Sequence, residues 1–357
     1  MKTKDIKFEF DKKIIDGYYS ASYFLKTQQI IKEFMPKQIV ALQFVHFHDR
    51  PIVICGIEEV LQLLNFALTP KERKEITVYA KQDGDLASSD EAILIIKGPY
   101  QLFGYLENLI DGILARRSSV ATNTHYTLSA AGDCNVIFMG ERSDDYLLQK
   151  YDGYAAWVGG IRSFVTEAHA ELIKQDKNVK VEGTIPHSLI QQHHGDLLEA
   201  LKNYQKCFPG QPLVGLIDYH NDVIYDLEKI KPIFSQLSAV RIDTSIRMVD
   251  KSLQKMDPDW LNSTKLYGVN TTIMKLVREY LDNNNGKHIK IIASSGIDEA
   301  RILKFKKHGA PIDLYGIGSS LIKPTVHFSG DLVAIDGSWE AKEGRSIKKN
   351  YNKLKKI

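Results

Sequence analysis

The chain has 357 residues, 43% of them apolar and 25% charged, with a formal net charge of +3. This length allows a large core in two domains or one elaborated barrel, and the near-neutral balance excludes wholesale nucleic-acid binding. No apolar run reaches membrane-spanning length and no charged-then-apolar leader opens the chain, so a cytoplasmic protein without a membrane partner is expected.

Residues 1–112 read as a small α+β domain. A helix is predicted around YFLKTQQIIKEF, a strand over QIVALQFVHF and a helix from IEEVLQLLNFA; the strands EITVYAKQDGDL and EAILIIKGPY follow, joined by a Gly-containing turn. From LFGYLENLIDGILARR a long helix runs into SSVATNTHYTLSAAG. Residues 113–325 then alternate helical segments with short apolar runs: NVIFMG, RSFVT, VEGTIPH, PLVGLID, SAVRID, IKIIASSG and IDLYGIGSS. Six or seven buried strands separated by helices predict a parallel sheet closed, or nearly closed, into a barrel. Residues 326–357 return to strand–turn–strand character, with the turn at Asp336-Gly337, and are expected to pack back on the first domain. The final SIKKNYNKLKKI is strongly basic and reads as a solvated end. Cys55, Cys134 and Cys207 lack CxxC spacing and lie in or beside apolar runs, which reads as core thiols without disulfide or zinc.

In a barrel, chemistry gathers at the C-terminal ends of the strands. The residues falling there are Glu141 and Arg142, Gly183, Thr184 and His187, Asp218, His220 and Asp222, Arg241, Asp243 and Arg247, then Ser294-Ser295-Gly296 and Gly316 with Gly318-Ser319-Ser320. SSGIDEARI and YGIGSSL each place small residues where a chain turns after a strand, leaving free N–H groups and hydroxyls for a phosphate. Arg142, Arg241 and Arg247 suit bidentate clamping of phosphate or carboxylate, and Asp218, Asp222 and Asp243 suit Mg²⁺ or ribose hydroxyls. No GxxxxGK[ST] run occurs.

Taken in order, YFLKT, ILARRSSVATN, EGTIPHSL, LIDYHND, VRIDT, IIASSGIDEARI, IDLYGIGSSL and DLVAIDGSWEAKEGR resemble the nicotinate phosphoribosyltransferase family in its shorter archaeal and Gram-positive form. The resemblance covers most of the chain. It implies an α/β protein with an irregular seven-stranded α/β barrel and an added α+β N-terminal domain completed by the C-terminal strands. It also implies a homodimer with shared active sites, transfer from phosphoribosyl pyrophosphate (PRPP) to nicotinate in NAD salvage, Mg²⁺, and ATP as co-substrate. Gly183, Thr184, His187 and Ser188 match the family's Gly-Thr-x-x-His-Ser motif, in which the histidine is phosphorylated by ATP. Arg241 and Asp243 match its Arg-x-Asp, the arginine directed to phosphate and the aspartate to ribose hydroxyls. Ser294, Ser295 and Gly296 match one 5′-phosphate loop, and Gly316, Gly318 and Ser319 the other. Arg142 matches the arginine beside the pyridine ring, Tyr23 an aromatic supplied by the partner subunit, and Arg116 an interface-crossing arginine of the related quinolinate enzymes.

The sequence also departs from the family. Met139 stands where an aromatic stacks on the pyridine, Ser163-Phe164-Val165-Thr166 replaces the expected Gly-Thr-Ser, and Ala21 and Ser22 occupy the place of an acid before Tyr23. A thioether packs on a ring face through its polarisable sulfur. These departures keep two alternatives in view, a nicotinamide-using transferase and a catalytically impaired barrel that binds phosphoribosyl compounds.

Overall fold

A computed structural model describes residues 3–256 and 266–357 of the protein. In chain order the first strands are β1 (Ile39–His46), β2 (Ile52–Val53), β3 (Thr77–Ala80), β4 (Leu86–Ala87) and β5 (Ala92–Pro99). The stretch between β3 and β5 is more than a turn, because β4 pairs with β2 in a separate two-stranded ribbon. Next come β6 (Asn135–Phe138), β7 (Ser163–Phe164), β8 (Lys180–Val181), β9 (Val214–Leu216), β10 (Ala239–Ile242), β11 (Lys290–Ala293) and β12 (Leu314–Ile317). The last are β13 (Phe328–Ile335), β14 (Ser338–Trp339) and β15 (Lys355–Lys356).

The strands form a six-stranded sheet of order β14-β13-β1-β5-β3-β15, antiparallel at every pair. β13 therefore returns to the N-terminal sheet as expected. Asp336 and Gly337, both at positive φ, make the tight turn into β14. The basic tail does not behave as a solvated end. β15 extends the sheet along β3, and Asn350 accepts from the Ala92 N–H and donates to its carbonyl, both at 2.8 Å. Tyr351 and Leu354 pack over the small apolar cluster of Ala41, Ile95 and Val333. Between its lysines the tail carries enough apolar surface to cover that face, which the charge run conceals.

The seven barrel strands are all parallel, in the order β8-β7-β6-β12-β11-β10-β9. That is the cyclic order of a barrel, closed where β6 meets β12 and open between β8 and β9. Alternation sets what faces inward. Ile137, Val214, Ala239, Ile292 and Leu314 line a cavity of about 350 Å³ inside the barrel, whereas their neighbours Val136, Val240, Ile291 and Tyr315 belong to the surrounding core. At the next interior level lie Met139, Arg241, Ser294 and Gly316. This places the polar residues of the strand ends together at the mouth.

The helix Glu107–Ala131 serves both halves: Ile110 and Leu114 lie in the N-terminal core, and Val120, Ala121 and Ala130 in the barrel core. A boundary at 112 therefore falls within one rigid element. The buried Glu59–Arg117 pair, 2.8 Å apart with Tyr151 beside the guanidinium, joins the two halves. Of the cysteines, Cys55 is buried but Cys207, at the end of a surface helix, is exposed; the apolar residues beside it do not predict its orientation.

Candidate active site

The barrel mouth holds a cavity of about 580 Å³ whose wall draws on the ends of all seven strands. On the β10 and β11 side, Arg241 lies at the centre of a network. Its Nε donates to Ser294 Oγ at 2.9 Å, Nη1 to Thr184 Oγ1 at 2.8 Å and Nη2 to Asp243 Oδ2 at 2.7 Å. Ser294 Oγ in turn donates to Asp243 Oδ1 at 2.9 Å. The spacing Arg-x-Asp on a strand puts both side chains on one face, here the interior face. The fork of the guanidinium then connects three strand ends in a fixed plane.

Beyond Ser294, Ser295 and Gly296 both adopt left-handed backbone, at φ 74° and 62°. For serine this is an uncommon conformation of the kind that clusters at binding sites. Arg301 holds it from behind, donating to the carbonyls of Ser295 at 3.0 Å and Gly296 at 2.7 Å. The helix Glu299–Lys307 that carries Arg301 is started by Asp298, which accepts from the Arg301 N–H at 2.9 Å. Sequence reading missed Arg301, although its place in the first turn of that helix is visible in SSGIDEARI. At the end of β12, Gly316 and Gly318 permit close approach. A Cβ on Gly316 would lie 2.7 Å from Met139 Sδ, and one on Gly318 2.4 Å from the Met139 carbonyl oxygen. Ser319 lines the cavity beside them.

His187 opens a short helix, His187–Gln192, with Pro186 at its N-cap in extended conformation. Its Nε2–H donates to Asp218 Oδ1 at 3.0 Å, and Asp218 is itself nearly buried, so the histidine is held from the end of β9. The hydrogen bond to Asp218 raises the imidazole pKa above its usual value and outweighs burial, which lowers it; the Asp218 and Asp243 charges raise it further and Arg241 opposes them. With Nε2 committed as donor, Nδ1 carries the free lone pair of the neutral ring.

Met139 and Val165 supply apolar wall between the Arg241 network and the loop after β6, where Glu141, Arg142 and Ser143 complete the cavity. Arg142 is exposed. Thus Met139, Arg142, Thr184, His187, Ser188, Arg241 and Asp243 share one cavity with Ser294, Ser295, Gly296, Gly316, Gly318 and Ser319. Other expected residues lie elsewhere. Asp218 stands behind His187. Arg247 is on an exposed loop. Asp222 starts the helix Val223–Ile230, accepting from the Tyr225 N–H at 3.3 Å and Ser252 Oγ at 2.6 Å and pairing with Lys255, so its lone pairs serve the cap. Arg116 is held by Asp152 at 2.6 Å and Asp144 at 2.9 Å. Tyr23 is 61% exposed on the helix Ser22–Phe34 and is not among the residues that line the mouth of its own chain.

Among the described residues, no group of three or more His, Cys, Asp or Glu side chains could hold a metal, and no helix is long and apolar enough to cross a membrane. Asp243 is the one carboxylate of the network facing the cavity, and both its oxygens already accept hydrogen bonds. Such a donor set fits a cation brought in by the phosphates of a ligand, not an all-protein cage.

Comparison with known structures assigns the fold. A crystal structure of nicotinate-nucleotide pyrophosphorylase from Pyrococcus furiosus superposes with a TM-score of 0.79 at 26% identity, covering 97% of this chain and 82% of that one. Human nicotinic acid phosphoribosyltransferase shares the fold, with a TM-score of 0.64 at 16% identity over 89% of this chain and 75% of that one. Fold and mouth together define a barrel-type phosphoribosyltransferase architecture. Residues 20–118 match the family profile described as quinolinate phosphoribosyl transferase, N-terminal domain. Nicotinate phosphoribosyltransferase of Bacillus subtilis is 24% identical over 286 residues, 77% of this chain and 52% of that protein; a Mycobacterium tuberculosis nicotinate phosphoribosyltransferase is 25% identical over 278 residues, 74% and 54%. Over about three quarters of its length the chain is thus similar in sequence to nicotinate phosphoribosyltransferases. It spans about half the length of the curated relatives it matches.

Proposed function

We propose that the protein joins nicotinate to the ribosyl carbon of PRPP, releasing pyrophosphate and forming nicotinate mononucleotide, with ATP hydrolysis coupled through His187. The observation that carries this reading is the convergence on one cavity of the Arg241–Asp243 network, the two small-residue loops and the Asp218-held histidine. The left-handed turn at Ser295-Gly296 and the Gly316–Ser319 segment would bind the 5′-phosphate, Asp243 the ribose hydroxyls and Arg241 phosphate oxygens. Mg²⁺ would arrive with the diphosphate and be held in part by Asp243; it supplies charge neutralisation on the leaving oxygens.

The pyridine nitrogen has no proton to lose, so its attack on the ribosyl carbon as the C–O bond to pyrophosphate breaks needs no general base. What it needs is a held ring and stabilised leaving charge. Met139 and Val165 would flank the ring and Arg142 would meet its carboxylate. For the ATP half-reaction, neutral His187 attacks the γ-phosphorus through Nδ1, ADP departs, and the positive charge developing on the ring is shared with Asp218 through Nε2–H. Water then cleaves the N–P bond to release phosphate. Quinolinate, suggested by the name of the family profile, fits less well. It carries two carboxylates, and the loop after β6 offers one cation, Arg142, beside an anion, Glu141.

A homodimer follows from the same reading. The helix Ser22–Phe34 buries no residue and leaves Tyr23, Ile30 and Phe34 at 61%, 52% and 76% exposure, an apolar surface suited to a second copy that would bring Tyr23 to the partner's mouth. The test is product formation from PRPP with nicotinate, with and without Mg-ATP, in wild type and His187→Ala. Nicotinate mononucleotide formation stimulated by ATP only when His187 is present is expected. A folded protein that turns over no base would sink the transferase reading in favour of a binding role.

A further inference from the structure

The base end of the cavity contains a group that the reaction described above leaves unused. Glu141 follows Gly140 in the loop after β6 and lines the mouth together with Met139, Arg142 and Val165. Its Oε2 is buried and has no hydrogen-bond partner among the described residues. A carboxylate oxygen withdrawn from water without a donor is costly, and a turn of the carboxylate toward a ligand donor in the cavity that Glu141 lines would relieve that cost. Its chain neighbour Arg142 is exposed and supplies donors only. Side by side, the two residues present an acceptor and a donor beside the apolar wall where the ring of a base would lie.

The chemistry of that pair decides between substituents. A carboxylate on the ring offers acceptors alone, so it satisfies Arg142 and leaves Glu141 facing a like charge. A carboxamide offers its carbonyl oxygen to Arg142 and its N–H to Glu141, satisfying both. We propose that Glu141 is a specificity-determining residue that accepts the amide N–H of a pyridine carboxamide, so that the site uses nicotinamide in addition to nicotinate. The inference rests on the transferase reading and deepens it by naming a second substrate and the residue that admits it.

The experiment measures kcat/KM for nicotinamide and for nicotinate, at saturating PRPP, in wild type, Glu141→Ala and Glu141→Gln. The expected result is measurable nicotinamide turnover by the wild type. In Glu141→Ala the nicotinamide-to-nicotinate ratio of kcat/KM should fall by about 10- to 100-fold, the size of one hydrogen bond to a charged group. Glu141→Gln keeps an acceptor but loses the charge and should fall between. PRPP affinity by calorimetry reports folding, since the phosphate loops lie on other strand ends. A ratio unmoved within about twofold in both variants, or a wild type that turns over nicotinate but not nicotinamide, overturns the inference. If the wild type turns over neither base, the transferase reading fails separately. The inference is then decided by calorimetric affinities for the two bases with PRPP present: the same shift in their ratio supports it, and an unshifted ratio overturns it.

Discussion

Replacing Arg241 by alanine should destabilise the fold and abolish PRPP binding together, and the two losses have different structural sources. Arg241 makes hydrogen bonds of 2.9, 2.8 and 2.7 Å to Ser294, Thr184 and Asp243, with side-chain exposures of 14% for Arg241 and 12% for Asp243. Removing one partner of a well-buried pair costs about 3–5 kcal/mol because the other charge is stranded. Here Ser294 Oγ still donates to Asp243 Oδ1 and the cavity admits water, so about 2–3 kcal/mol is expected for Arg241→Ala. Asp243→Ala leaves the guanidinium two oxygen acceptors and should cost about 1–2 kcal/mol. In the double variant no stranded charge remains, so its cost should fall short of the sum by about 1–2 kcal/mol. The assay is urea unfolding of all four proteins by circular dichroism, each with and without saturating PRPP. At a hundredfold excess over Kd, PRPP should stabilise the wild type by about 2.7 kcal/mol and Arg241→Ala by almost nothing. Additivity within about 0.3 kcal/mol, or an unchanged PRPP effect in Arg241→Ala, would refute the idea that this fork organises the mouth.

The two glycines at the end of β12 separate packing from function. Gly318→Ala forces a Cβ against the Met139 carbonyl, a backbone atom that cannot yield, and should cost about 1–3 kcal/mol and weaken PRPP binding. Gly316→Ala meets chiefly the flexible Met139 thioether, with Ser294 Cβ at 3.2 Å, so it should lower the melting temperature less than Gly318→Ala while altering KM for the base; equal melting temperatures for the two variants would contradict this. For His187, the bond to Asp218 raises the imidazole pKa, so the ring stays protonated, and not nucleophilic, to a higher pH than a free histidine. The stability this interaction contributes is fully present below the unfolded-state pKa, near 6.5, and is lost as pH rises through the raised folded value. Asp218→Asn should therefore shift the acid limb of phosphoryl incorporation from labelled ATP to lower pH while reducing its plateau, and an unchanged pH profile would remove Asp218 from that role.

The strand pattern is legible because alternation is local: Arg241 and Asp243 two apart on a strand must share a face, and SSGIDEARI must turn into a helix wherever it lies. Partnership over long separations is not local. Nothing near Arg116 in sequence shows that Asp152, 36 positions on, will hold its guanidinium, and a carboxylate beginning a helix, as Asp222 does, looks the same as one available to a metal until Ser252 and Lys255 are in place. The tail misleads for a related reason. Charge density dominates SIKKNYNKLKKI, but its fate is decided by Tyr351, Leu354 and Asn350, which find an apolar patch and an unpaired peptide on a sheet built some 250 residues earlier. Glu141 lies in plain view beside Arg142, yet an orphaned oxygen is a property of the folded surroundings and carries no sequence signature.

The opening of the barrel bears on how the two half-reactions would be coupled. β8 and β9 are short edges of two and three residues, and no ladder joins them. Across the mouth of that seam run two side-chain bridges, from Thr184 after β8 to Arg241 on β10 and from His187 to Asp218 at the end of β9. A barrel closed there by side chains responds to changes in their charge in a way that a hydrogen-bonded backbone ladder does not. Under the proposed function, a phosphoryl group on Nδ1 of His187 leaves the Nε2–H to Asp218 but adds negative charge near Arg241 and Asp243, which already act on the imidazole from opposite directions. Arg241 would be drawn toward that charge and Asp243 repelled, so the pair assigned to PRPP and the fastening of the seam would change together. Coupling in this molecule then requires no long-range pathway, only that the phosphorylated ring and the ribosyl-phosphate pair share the gap where the strand ladder is missing.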